Sequence, residues 1–151
     1  MKQRSRNLIL CGFMGAGKTT LGRQLAANFR LRFFDLDEEI ERREKTKIQA
    51  IFHRFGEGYF RELEHRYCKE LSECENVVVA VGGGTFGNEA NVLLFAKAFD
   101  IIFLDVDFET CYFRINGDTN RPLVMSHTKE QLKELFERRR KVYLKVSNIV
   151  L

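Results

Sequence analysis

The 151-residue chain contains no tryptophan, one proline and only four cysteines. The missing tryptophan carries no functional message. Cys11, Cys68, Cys74 and Cys111 form no C-x-x-C pair. That spacing argues against a zinc site or a disulfide framework. Thiols kept reduced in a cytosol fit better, so a cytoplasmic location is expected. No segment is apolar enough to span a membrane, and the stretch after basic Met1–Arg6 is too short for a signal peptide. The net charge of +4 is too mild to indicate a nucleic-acid partner, although it suits small anionic ligands. With 44% hydrophobic and 30% charged residues, the composition is that of one globular domain spanning 1–151. At this length a core can form without cross-links.

Four short apolar runs alternate with helical patterns. The runs are Leu8–Cys11, Leu31–Leu36, Val77–Val81 and Ile101–Val106. The helical stretches are Lys18–Phe29, Glu38–Lys45, Tyr59–Ser72, Glu89–Phe99, Glu109–Ile115 and Lys129–Val146. This alternation predicts βαβ units and a parallel sheet. The runs are apolar throughout, as strands covered on both faces should be. Pro122 closes a polar segment, Asn116–Asn120 followed by Arg121, that reads as a surface loop.

Residues Gly12–Thr19 read G-F-M-G-A-G-K-T, between a strand pattern and a helix pattern. This matches the phosphate-binding loop G-x-x-x-x-G-K-[ST]. Glycines let backbone N–H groups converge on phosphate oxygens, and the helix N-terminus favours anions. The pattern predicts binding of a nucleoside triphosphate with Mg²⁺. Lys18 would reach the β- and γ-phosphates and Thr19 would ligate the metal. The nucleotide-binding candidates are Gly15, Ala16, Gly17, Lys18, Thr19 and Thr20.

Other residues suggest an acceptor. Asp35 and Asp37 close the second run and would point to one side if the strand reaches that far. One could serve Mg²⁺ and the other a substrate hydroxyl; alternatively, Asp37 caps the next helix. Gly82, Gly83 and Gly84 follow the third run, where close approach of a ligand would justify three glycines. Arg139 lies on the apolar stripe of the last helix with Leu135 and Tyr143, so it needs a protein carboxylate or a ligand anion as partner. Arg61 has Glu64 as an i+3 neighbour and by itself reads as surface charge. Arg121 is either solvated or a mobile cation for phosphoryl transfer. The three histidines show no ligand spacing.

In order and spacing, these pieces resemble the shikimate kinase family. The matching motifs are the phosphate loop, D-L-D at Asp35–Asp37, F-R-E-L-E at Phe60–Glu64, G-G-G at Gly82–Gly84, R-P-L at Arg121–Leu123 and R-x-x-x-Y at Arg139–Tyr143. The resemblance implies an α/β/α sandwich of the P-loop kinase fold, with a five-stranded parallel sheet in the order 2-3-1-4-5. It implies transfer of phosphate from ATP to the 3-hydroxyl of shikimate, a step toward chorismate and aromatic amino acids. Asp37 would hold the shikimate hydroxyls and accept the proton of the one attacked; Asp35 would support Mg²⁺ through water. Arg61 and Arg139 would clamp the carboxylate, with Gly82, Gly83 and Gly84 beside it. Phe52 and Phe60 would wall the pocket, Arg114 would pack on adenine, and Arg121 would be the lid arginine. The substrate segment would span about 37–64 and the lid about 116–127. Relatives are often monomers, so a monomer is expected. They continue through a fifth strand, a nucleotide-contacting loop and a final helix, whereas this sequence stops at Asn148–Leu151; an incomplete fifth strand and final helix are expected. The alternatives are another kinase of this fold, such as a gluconate kinase, or a non-catalytic nucleotide-binding module.

Overall fold

The computed structural model describes residues 5–117 and 122–151. Five parallel strands form one sheet: β1 (Asn7–Cys11), β2 (Arg32–Asp35), β3 (Val77–Ala80), β4 (Asp100–Phe103) and β5 (Ile149–Val150). Their order is β2-β3-β1-β4-β5, as the resemblance implies. The helices are α1 (Lys18–Phe29), α2 (Leu36–Glu44), α3 (Ile48–Ser72), α4 (Glu89–Ala96), α5 (Phe108–Ile115), α6 (Pro122–Ser126) and α7 (Lys129–Val146).

Alternate residues of each central strand face opposite layers. Ile9, Cys11, Val77, Val79, Ile101 and Phe103 join one core with residues of α2, α3 and α4. Leu8, Leu10, Val78 and Ile102 join the other with residues of α1, α5 and α7. This makes the three-layer sandwich. Helix α7 serves both layers, giving Leu132 and Phe136 to one core and Tyr143 to the other. Its start is fixed by a reciprocal cap: Gln131 N–H donates to Thr128 Oγ1 at 3.2 Å, and Thr128 N–H donates to Gln131 Oε1 at 2.8 Å.

Helices α1 and α7 have the bounds expected from their apolar periodicity. Elsewhere tertiary context shifts them. Helix α3 begins eleven residues before the expected Tyr59, at Ile48. Gly56 and Gly58 obscure that first part, yet Ile48, Ile51 and Phe52 pack on the core. At Gly56 the helix breaks, with φ 84° and ψ 172°. Pro122, read as part of a surface loop, starts the short helix α6, since proline's fixed φ suits a first helical position. The fifth strand is present as two residues, with Ile149 beside Ile102 and Val150 beside Phe103.

Candidate active site

The loops after β1, β2 and β3 gather at the carboxyl ends of their strands, the usual ligand edge of an open parallel sheet. The first is Gly12–Thr19. Gly15 and Gly17 have φ of 79° and 100°, which side chains rarely adopt. Gly17 is the N-cap of α1 and supplies no side-chain cap, so the first N–H groups of the helix keep their capacity for an anion. The Lys18 ammonium donates to the carbonyls of Gly12 (2.8 Å) and Phe13 (3.2 Å) across this loop. Arg114 backs the same loop, its Nη1 donating to the Gly15 carbonyl at 2.8 Å. Thr20 follows on α1 and is exposed.

The second loop corrects one expectation. Strand β2 ends at Asp35, and Asp37 lies in the first turn of α2, so the two do not share a strand face. Asp35 is the cap: its Oδ1 accepts from Glu38 N–H at 3.1 Å. Its other oxygen accepts from the Thr19 hydroxyl at 2.7 Å. Asp37 is released from capping. Although the residue is only half-buried, its carboxyl is surrounded by protein. That burial pushes its pKa up to about 7, aided by Asp35, Glu64 and Glu41 and opposed by Lys18.

The third loop explains the triple glycine. A Cβ on Gly82 would stand 2.9 Å from Asp37 Oδ1. One on Gly83 would stand 2.6 Å from Arg139 Nη1, and one on Gly84 2.5 Å from Arg61 Nη2. Three successive glycines therefore admit a carboxylate and two guanidinium groups to one short stretch of backbone. Arg61 is held by Glu64 at 3.0 Å and Glu57 at 3.5 Å, so it is an anchored cation and not loose surface charge. Glu64 is 1% exposed. Arg139 makes no hydrogen bond or ion pair among the described residues. Burial, with Arg61 adding like-charge repulsion, lowers its pKa from the usual arginine value. An ionised, desolvated guanidinium beside a second one is a site for a ligand anion. The Phe52 and Phe60 rings lie 4.8 Å apart, tilted by 39°, and the Phe60 ring lies 5.3 Å from the Arg61 guanidinium carbon. Arg121 lies outside the described residues.

A family profile described as shikimate kinase matches residues 14–151. The chain belongs to the shikimate kinase family. It is 44% identical over 138 residues to the shikimate kinase of Persephonella marina, covering 91% of this chain and 84% of that protein. It is 42% identical over 144 residues to that of Sulfurihydrogenibium sp., covering 95% and 86%. Among solved structures, the shikimate kinase of Acinetobacter baumannii in complex with shikimate superposes with a TM-score of 0.94 at 34% identity, covering 97% of this chain and 83% of that one. A gluconokinase from Sinorhizobium meliloti shares only the fold, with a TM-score of 0.54 at 14% identity. Thr85, Asn91 and Tyr143, to which the motifs assign no role, also make hydrogen bonds at the Gly82–Thr85 turn. Only Tyr143 carried a signal, as the last letter of R-x-x-x-Y.

Proposed function

We propose that this chain transfers the terminal phosphoryl group of ATP to the 3-hydroxyl of shikimate. The observation that carries the reading is the convergence of Asp37, Arg139 and Arg61 on Gly82, Gly83 and Gly84. Two guanidinium groups grip one carboxylate, as their planar forks favour. A carboxylate across the same turn then faces the hydroxyls of that molecule. Asp37 orients the attacked hydroxyl and accepts its proton. Gly82, Gly83 and Gly84 keep the turn thin enough for the acceptor to lie against backbone, between walls made by Phe52 and Phe60. The acceptor segment about 37–64 and a lid about 116–127 belong to one domain.

On the donor side, Gly15, Ala16, Gly17, Lys18, Thr19 and Thr20 surround the phosphates. Lys18 neutralises phosphate charge, and its charge also acts to lower the pKa of Asp37, which supports a role on both the donor and the acceptor side. Arg114 serves the adenine side. Arg121 closes over the transferred group from the lid. The oxygen pair of Thr19 and Asp35 fits Mg²⁺. Among the described residues no cluster of three or more His, Cys, Asp or Glu could cage a metal. One hydroxyl, a carboxylate reached through water and phosphate oxygens are the set that Mg²⁺ accepts. When bound, Mg²⁺ supplies charge neutralisation on the phosphates. Catalysis by the chain itself is then positioning plus electrostatics. We further propose a monomer acting in the cytoplasm; no described helix is long and apolar enough to cross a membrane.

The test is coupled detection of ADP release with shikimate, gluconate or no acceptor. Turnover that depends on shikimate, with little on gluconate, is the expected result. No shikimate-dependent turnover by folded protein overturns the reading; ATP binding without turnover on any acceptor would favour a binding module.

A further inference from the structure

Three helices each send a buried polar side chain to the Gly82–Thr85 turn. From α7, the Tyr143 hydroxyl donates to the Gly83 carbonyl at 2.5 Å. From α4, Asn91 Nδ2 donates to the Thr85 carbonyl at 3.0 Å. From α3, Glu64 Oε2 accepts from the Thr85 hydroxyl at 2.9 Å. Tyr143 is 2% exposed and Asn91 is fully buried. Polar groups at such depth are costly unless paired, and apolar side chains would fill the same space without that demand. Their presence asks for a reason beyond packing.

The geometry supplies one. Arg139 and Tyr143 are one turn apart on α7, so they rise from the same face. Both end on Gly83, the guanidinium against its α-carbon side and the hydroxyl on its carbonyl. The hydroxyl thereby fixes how far the turn stands from Arg139. Asn91 fixes the other end of the turn. Its Nδ2 is committed to Thr85, so its Oδ1 must accept, and His65 Nδ1 at 2.7 Å is the donor. The amide is therefore held in one orientation between α3 and the turn. Among the described residues nothing accepts from the N–H groups of Gly83 or Gly84. The turn's own closure is a single backbone bond, from Thr85 N–H to the Gly82 carbonyl at 3.2 Å, so its height between two like-charged arginines is set by bonds from the surrounding helices.

We propose that Tyr143 and Asn91 are positioning residues for the acceptor carboxylate. They hold the Gly82–Thr85 turn at the height where Arg61 and Arg139 reach one carboxylate together. The proposal rests on the kinase reading above. Neither residue touches the substrate; each acts through the turn.

Tyr143→Phe keeps the ring against Phe103, whose centroid is 5.1 Å away, and removes only the hydroxyl. Asn91→Ala is the second variant, should the first not fold. Both are measured beside the parent protein, with shikimate and ATP titrated separately. The shikimate KM is expected to rise about three- to tenfold in each, the worth of one net hydrogen bond. The ATP KM and kcat should stay within about twofold, because the phosphate loop is untouched. The rise in melting temperature caused by saturating shikimate should shrink in parallel. A variant that melts earlier but keeps the parent's shikimate KM overturns the proposal and leaves these bonds purely structural. A parent protein without shikimate turnover would instead sink the functional reading.

Discussion

Gly83→Ala separates two reasons for a glycine in a turn, conformation and space. Gly83 is not among the glycines with positive φ, so alanine can adopt its backbone. Space is the obstacle. A Cβ there meets Arg139 Nη1 at 2.6 Å and Cζ at 3.4 Å, and no other neighbour within 4 Å. To regain ordinary contact near 3.4 Å the guanidinium must withdraw by roughly 0.8 Å. It is the end of a flexible side chain without an ion pair among the described residues, so the fold need not deform. The unfolded chain loses entropy, which favours alanine by about 0.4–1 kcal/mol. The melting temperature should therefore hold or rise. Binding should suffer. A withdrawal of that size stretches a charged hydrogen bond from about 2.8 Å to about 3.6 Å, beyond useful range. Such a bond is worth about 1.5–3 kcal/mol, a rise of about 10- to 150-fold in shikimate KM. Coupled kinetics at saturating ATP, paired with thermal melts, measure both effects. A shikimate KM within twofold of the parent would refute the placement of Arg139. A collapse in stability would show that the glycine serves the turn's conformation.

Arg139→Ala should raise the shikimate KM by a similar amount, about 1.5–3 kcal/mol, without loss of stability, and adding Gly83→Ala to it should cost nothing further; additive losses would show that the two act separately. Asp37→Asn should cut turnover by at least about 100-fold while nucleotide binding, followed by calorimetry, is kept; near-normal turnover would remove its role as base. The raised pKa of Asp37 means its contribution to stability is largest in acid and is lost as pH climbs through about 7. Asp37→Asn should thus melt higher than the parent at pH 8, by a margin that narrows at pH 6; an equal margin at both would contradict the burial argument. The Arg140 fork holds Asp105 through two bonds of 2.8 Å and lowers its pKa, so that pair stabilises above the ordinary carboxylate range and fades as pH falls through the lowered value. Asp105→Asn should melt slightly lower than the parent at pH 7, with the gap closing below about pH 4; a gap that persists in acid would assign the loss to packing.

The sheet was legible because its central strands are apolar on both faces and its helices periodic. The start of α3 was not, because Gly56 and Gly58 interrupt a stripe that resumes on the far side of the break. The phosphate loop was readable from its spacing alone. The acceptor side was readable only in part. Arg139 betrayed itself by sitting on an apolar stripe, but Asp37 could be read either as a functional carboxylate or as the α2 cap. Strand length decided it: β2 stops at Asp35, so the first carboxylate caps and the second is left for chemistry. Thr85 and Asn91 gave no signal, since a threonine after glycines and an asparagine near a helix start look like ordinary turn and cap residues. Their roles depend on contacts between distant helices.

Asp35 has a consequence for modularity. One oxygen closes the start of α2, which carries Asp37, and the other receives the Thr19 hydroxyl from α1. The boundary between nucleotide-handling and acceptor-handling parts of the chain thus passes through the middle of a single side chain. A chimera that exchanges acceptor specificity by swapping a cassette from residue 37 onward would inherit this joint intact. One cut at residue 35 or earlier would have to bring a matching partner for Thr19, so the two halves of the reaction have a shared hinge pin that recombination must respect.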